Sequence, residues 1–443
     1  MSPILILLII FQISKSEIKF SFTRDKKIYE NIPSGKEPMD YYMKNILETK
    51  IKLGDSLQEV PIKLDSDVYS TSVLGEESKD LNNLPHFKKN NSKTYKVIKE
   101  EKGISSTGFI SGEISSETFQ FKLNETDTSF DNITFFYGII DSKPENSGYL
   151  GLSILPSKTD YDLFSEISFP IQLKKKNITD NYAFQLEFID DENGYLTIGK
   201  NNYDPTSSLL NKTKIALISG FIQYWAIAFD SIKYDTVSVI KNNSTVSNIL
   251  KFDFNINYLR TNSQYNNTIY ENFFKEKIEK KECYKKVLEG YFYYYCNKST
   301  DVSKMKDLVF FNKNMDRNFT LTYEDLFYED KENNYFLVIF PIEIDDDDDY
   351  FSVGFPFLKK YSLLFDSNNK IIAFMKEREK KFPIWKIILI IVGFAIICFL
   401  IFIIIFILKK PKRKPRKNEL DDDYDYDTQN DDKNKLTGEY NKI

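Results

Sequence analysis

The chain has 443 residues, a formal net charge of −5, 15% aromatic residues and only 16 glycines. Its length suggests two or three folding units, and mild acidity without a basic face excludes binding to a phosphate backbone. A single histidine, His86 in Leu84-Pro85-His86-Phe87, sits in no nucleophile motif. Multi-histidine zinc sites and His-driven triads are therefore poor fits, and hydrolytic chemistry would have to run on carboxylates.

Taken in chain order, the apolar run Pro3–Ile13 is too short for a comfortable bilayer span. Small residues at Ser14 and Ser16 follow it, so residues 1–16 read as a signal peptide cut after Ser16. Residues 17–40 read as a short propeptide or as the first strand. Val60, Ile62 and Leu64 alternate with polar neighbours, as do Phe119, Phe121 and Leu123, and again Leu250, Phe252 and Phe254. Period-two runs broken by Asn, Asp, Ser and Gly predict strands in a mostly β protein. The best helical patch is Glu271–Lys280.

A weak internal repeat relates Pro61–Asp67 to Ile249–Asn255. Each copy places an aspartate, Asp65 or Asp253, at the end of an apolar strand. Each is followed about a hundred residues later by an apolar-apolar-Gly element, Tyr149-Leu150-Gly151 or Ser352-Val353-Gly354. Two similar β lobes, 41–200 and 201–376, fit an ectodomain of this size.

Ile387–Leu408 carries no charge and, at about 1.5 Å per residue, matches a hydrocarbon core of roughly 30 Å. The basic run Lys409–Lys417 follows directly, which predicts a single transmembrane helix with residues 409–443 as a cytoplasmic tail. Ten Asn-x-Ser/Thr sequons fall between Asn90 and Asn318 and none after the span, in agreement with a lumenal or extracellular ectodomain. Cys283 and Cys296 are close in sequence and both lumenal, so a disulfide is the natural reading in an oxidising compartment. The acidic run Asp345–Asp349 reads as a solvated loop and not as a metal site, and the acidic tail reads as disordered.

From Tyr42 to Lys376 the pattern resembles the pepsin-like aspartic peptidases. Lys50–Gln58 resembles their opening strand and turn, Gly148–Leu152 the G-I-L-G-L signature, Gly194–Gly199 the G-x-L-x-x-G strand, and Tyr224–Ile227 the Y-W strand of the second lobe. Val353–Leu358 with Phe365–Ile371 resembles the closing segment. The resemblance implies a bilobal fold, a peptide or protein substrate, no cofactor and no metal. It assigns catalysis to Asp65 and Asp253, where the two D-T-G motifs begin, and a flap to a hairpin including Thr107, Gly108 and Phe109. The cysteine pair sits where the second lobe of the family usually carries a disulfide.

The motifs depart from the family. The first reads Asp65-Ser66-Asp67 and the second Asp253-Phe254-Asn255. The family's Thr hydroxyls lock the two loops together and its glycines permit a tight turn. Ser66 keeps a hydroxyl; Phe254 cannot supply one. Asp67 adds a third charge that would disfavour ionisation of its neighbours, and Asn255 replaces the second glycine. Ser105 stands where the flap usually has Tyr. The expectation is a membrane-anchored aspartic endopeptidase with impaired activity. The alternative is an inactive pseudo-peptidase whose cleft binds peptide or protein ligands.

Overall fold

The computed structural model describes residues 17–24, 39, 47–81, 84–102, 109, 111–123, 126–144, 146–154, 167–199, 211–216, 224–234, 237–239, 248–261, 265–288, 290–342, 350–378 and 384–408. Residues up to Arg378 form one compact unit and Glu379–Ile443 a second. The signal segment 1–16, the acidic run Asp345–Asp349 and the tail 409–443 lie outside the described residues.

The first unit is mostly β, as its alternating stretches predict. Among the described residues its strands form sheets of thirteen, nine and four. The largest begins from the strand Ile18–Arg24, which pairs with Asn193–Ile198, Leu47–Leu53 and Ser111–Leu123. Its alternate residues Ile18, Phe20 and Phe22 are buried, so residues 18–24 are an integral sheet strand. The strand Gln58–Asp65 follows the same rule: Val60, Ile62 and Leu64 face the core and Glu59, Pro61 and Lys63 do not. Ile371–Glu377 and Tyr361–Asp366, from the far end of the unit, extend this sheet through Ala183–Phe188. One sheet thereby joins Ile18–Arg24 to Ile371–Glu377.

The internal repeat is a repeated pairing. Lys63-Leu64-Asp65 lies parallel to Tyr149-Leu150-Gly151, and Lys251-Phe252 lies parallel to Ser352-Val353. The glycine closing each element is set by close approach. A Cβ on Gly151 would meet the Tyr69 carbonyl carbon at 2.4 Å, and one on Gly354 would meet Ile256 O at 2.1 Å. Each glycine thus gives room to the turn that follows one of the two aspartates.

Two elements differ from their sequence reading. Leu250 and Phe252 lie in a strand, Ile249–Phe252, that is buried on both faces and does not alternate; Phe254 falls beyond its end. The helix begins earlier than Glu271. It runs as Asn266–Ile269, a π segment Tyr270–Phe274, and Lys275–Glu279. Burial of Ile269, Phe273 and Phe274 holds it, while the pairs Lys275–Glu271 and Lys280–Glu276 lie on the exposed face and add little.

Cys283 and Cys296 form a disulfide. They stand opposite one another in the hairpin of Cys283–Leu288 with Tyr291–Asn297. His86 is a loop residue with Nδ1 3.0 Å from Leu84 O.

In the second unit, Ile384–Leu408 is one helix of 25 residues. Its described side chains, Ile391 to Ile405, are apolar and mostly exposed. Among the described residues no helix is long and apolar enough to cross a membrane.

Candidate active site

Asp65 ends its strand and opens a turn. Leu152 N donates to the Asp65 carbonyl at 2.8 Å. The side chain closes the turn itself: Asp65 Oδ1 accepts from Asp67 N at 2.8 Å and from Val68 N at 3.1 Å. Asp253 repeats the device. Asp253 N donates to Val353 O at 3.1 Å, and Asp253 Oδ1 accepts from Asn255 N at 2.8 Å. Charge-assisted bonds of this kind fix both the carboxylate and the loop.

Neither Asp67 nor Asn255 is among the residues with positive φ. Both turns therefore form at ordinary φ with Asp67 and Asn255 in place of the family's glycines. What changes is the side-chain content beside the aspartates. Asp67 Oδ1 and Asn255 Oδ1 are both buried without a hydrogen-bond partner.

The two loops meet. Phe254 N donates to Ser66 Oγ at 3.1 Å, across 188 residues of sequence. The bond runs in one direction only, because residue 254 has no hydroxyl to return it. The Phe254 ring is fully buried, with centroids 6.1 Å from Phe184 and 5.5 Å from Phe365. Trp225 belongs to the same cluster, and its Nε1 donates to Leu152 O at 2.6 Å.

A family model described as eukaryotic aspartyl protease matches residues 47–377. The chain belongs to the eukaryotic aspartyl protease family. The match ends one residue short of the compact unit's last residue, Arg378. No curated protein matches the chain.

In this family member, sequence reasoning missed one residue of the site. Lys251 is buried in the strand before Asp253, and its Nζ donates to Asp67 Oδ2 at 2.7 Å. The ammonium also lies 4.1 Å from the Tyr224 ring centroid and 5.8 Å from that of Tyr350. The available signal was a lone charge within the apolar run Ile249-Leu250-Lys251-Phe252. Asp67 is thus a third acid with its own buried counter-ion, which qualifies the expectation that it simply burdens its neighbours.

Burial pushes the Asp253 carboxyl above its usual range; Lys251 and the Asn255 N–H oppose this, while the Asp65 charge adds to it. Burial and then the Asp253 charge push Asp67 up to about 6, against the pull of Lys251. Burial alone would lower Lys251, but the charges of Asp67 and Asp253 outweigh it and hold the ammonium above its ordinary value. Tyr258 is pushed up to about 12 by burial and by Asp253. Asp65, Asp67, Asp253 and Lys251 therefore form one electrostatic group, and a cluster of like charges of this kind can hold a proton at moderately acidic pH.

Lys96–Lys102 pairs with Ser111–Leu123, Lys102 opposite Ser111. Ser105, Thr107 and Gly108 lie outside the described residues. Phe109 is buried, packed with Phe136 and Tyr149 and over Gly138. Its ring supports the hairpin and is not a free surface for a ligand. Among the described residues no group of His, Cys, Asp or Glu could hold a metal ion.

Proposed function

We propose that this chain is a membrane-anchored aspartic endopeptidase in which Asp65 and Asp253 activate a water molecule against a peptide bond. The carrying observation is the matched pair of aspartates. Each follows or ends a strand in the same parallel pairing, each accepts a backbone N–H from the residue two positions on, and Asp65 raises Asp253 electrostatically. Two carboxyls so coupled share one proton. The ionised member takes a proton from water and the other donates to the carbonyl. Two lobes, 41–200 and 201–376, would each contribute one aspartate to the cleft between them.

The test is cleavage of an unfolded protein substrate by the full chain from about pH 3 to 7. Activity should be greatest at acidic pH, since the raised Asp253 loses its proton as pH rises. Asp65→Asn and Asp253→Asn should each abolish it. Cleavage that survives both substitutions overturns the assignment.

A second reading has its own observation. The Lys251 ammonium beside Asp253 and Asp67 favours ionised carboxylates, which would remove the acid from the pair. With Phe254 in place of a hydroxyl, this supports slow turnover, or a pseudo-peptidase cleft that binds peptides without cutting them. Peptide binding by a wild type that does not cleave is the outcome that favours it.

The membrane reading rests on the uncharged stretch Ile387–Leu408, the basic run Lys409–Lys417 and the one-sided sequons. A disulfide between Cys283 and Cys296 fits an oxidising lumen or cell exterior. On this reading residues 1–16 are removed, sequons in the ectodomain carry glycans, and the tail is cytoplasmic, in the secretory or endosomal pathway or at the cell surface.

A further inference from the structure

Two departures from the family motif meet at one place. Residue 254 has lost the hydroxyl that would return the bond to the first loop, and residue 67 has gained a carboxylate. The surviving hydroxyl bond runs from Phe254 N to Ser66 Oγ. One residue beyond Ser66, Asp67 Oδ2 receives the Lys251 ammonium at 2.7 Å, across 184 residues of sequence. Both connections therefore hold the Asp65 loop, one to the Asp253 loop and one to the strand that leads into it, and both donors come from the Asp253 side.

Lys251 is well placed for this task. Its strand, Ile249–Phe252, is clamped between Ala226–Ala228 and Tyr350–Val353. Its side chain is 7% exposed, and the rings of Tyr224 and Tyr350 flank the ammonium. The Asp67 side chain is 35% exposed, so one partner of the pair is buried. The buried, fixed Lys251 side still makes the link more directional than an ion pair between two mobile surface side chains, which must be ordered at a cost.

We infer that the Lys251–Asp67 ion pair is the second tether between the Asp65 loop and the Asp253 side, standing in for the missing hydroxyl bond. Lys251 is then a positioning residue. It holds Asp67 and, through the first loop, the placement of Asp65 relative to Asp253. The two motif departures become one compensated change, so replacing Asp67 by the family's glycine alone would strand a buried cation.

The titratable groups around the pair are few. Asp253 and Asp65 face Asp67, Tyr350 and Asp253 face Lys251, and Lys63 and Tyr258 face Asp253. Below about pH 4 Asp67 is protonated and needs no counter-ion; at pH 7 it is ionised, its carboxyl having been pushed up to about 6. Loss of the cation should therefore matter more as pH rises.

The test is the thermal midpoint of the full-length chain in detergent micelles, measured from about pH 4 to 7. Lys251→Met should lower it, with the loss growing with pH to on the order of 5 °C at the upper end. The double variant Lys251→Met with Asp67→Asn should recover most of that loss and abolish its growth with pH. Additive losses, or a K251M loss that is the same at every pH, overturn the tether. Growth with pH that persists in the double variant also overturns it, since Lys251 would then serve Asp253 and not Asp67. If K251M does not fold, Lys251→Gln carries the same test with a smaller shift. None of these readouts requires turnover, so a chain that cleaves nothing leaves this inference testable.

Discussion

Restoring the family's threonine at position 254 should destabilise this protein. Phe254 is fully buried against Phe184 and Phe365. Truncating such a ring to alanine costs about 3–5 kcal/mol, and threonine recovers little of that because its hydroxyl must also be satisfied. The returned hydroxyl bond to the Ser66 loop is worth about 1 kcal/mol. The packing loss therefore wins, and Phe254→Thr should cost about 2–4 kcal/mol net, or roughly 4–8 °C of melting temperature. Guanidinium unfolding followed by tryptophan fluorescence is the assay, since Trp225 sits 5.4 Å from Phe184 and 5.2 Å from Phe365. A variant as stable as wild type, or more so, would refute the view that residue 254 has been given over to the core.

Gly354→Ala should destabilise by about 1–3 kcal/mol and, by displacing the Asp253 loop, lower any cleavage rate on the order of 10²-fold; thermal melting and a cleavage assay check both. Cys283→Ser should cost about 3 kcal/mol and leave a protein whose melting temperature no longer responds to reductant. Full-length chain should stay with membranes through alkaline extraction, and a chain ending at Arg378 should be released; an extractable full-length chain contradicts the anchor.

Much of the frame was legible because it depends on local pattern. The strand ending at Asp65 shows its alternation in Val60, Ile62 and Leu64, and the two apolar-apolar-Gly elements mark the strands beside each aspartate. The cysteines were close enough to suggest their bond. What could not be read depends on contacts over long separations. Lys251 meets Asp67 across 184 residues; the apolar run around it marks the lysine as unusual but names no partner. The full burial of Ile249–Phe252 likewise follows from its neighbours in the sheet and not from its own period. The motif glycines are a different case. Their absence left open whether the turns form, and the aspartate side chains close them at ordinary φ with their own hydrogen bonds.

The proposed mechanism makes Asp65 and Asp253 one proton-sharing pair. It is tested most directly by calorimetric binding of a peptide whose scissile carbonyl is replaced by a secondary alcohol, a mimic of the hydrated transition state. Binding should be tighter near pH 4.5 than near pH 7.5, with measurable proton uptake at the higher pH, and should be lost in Asp65→Asn and in Asp253→Asn. Equal affinity at both pH values, unchanged by either substitution, would contradict the account.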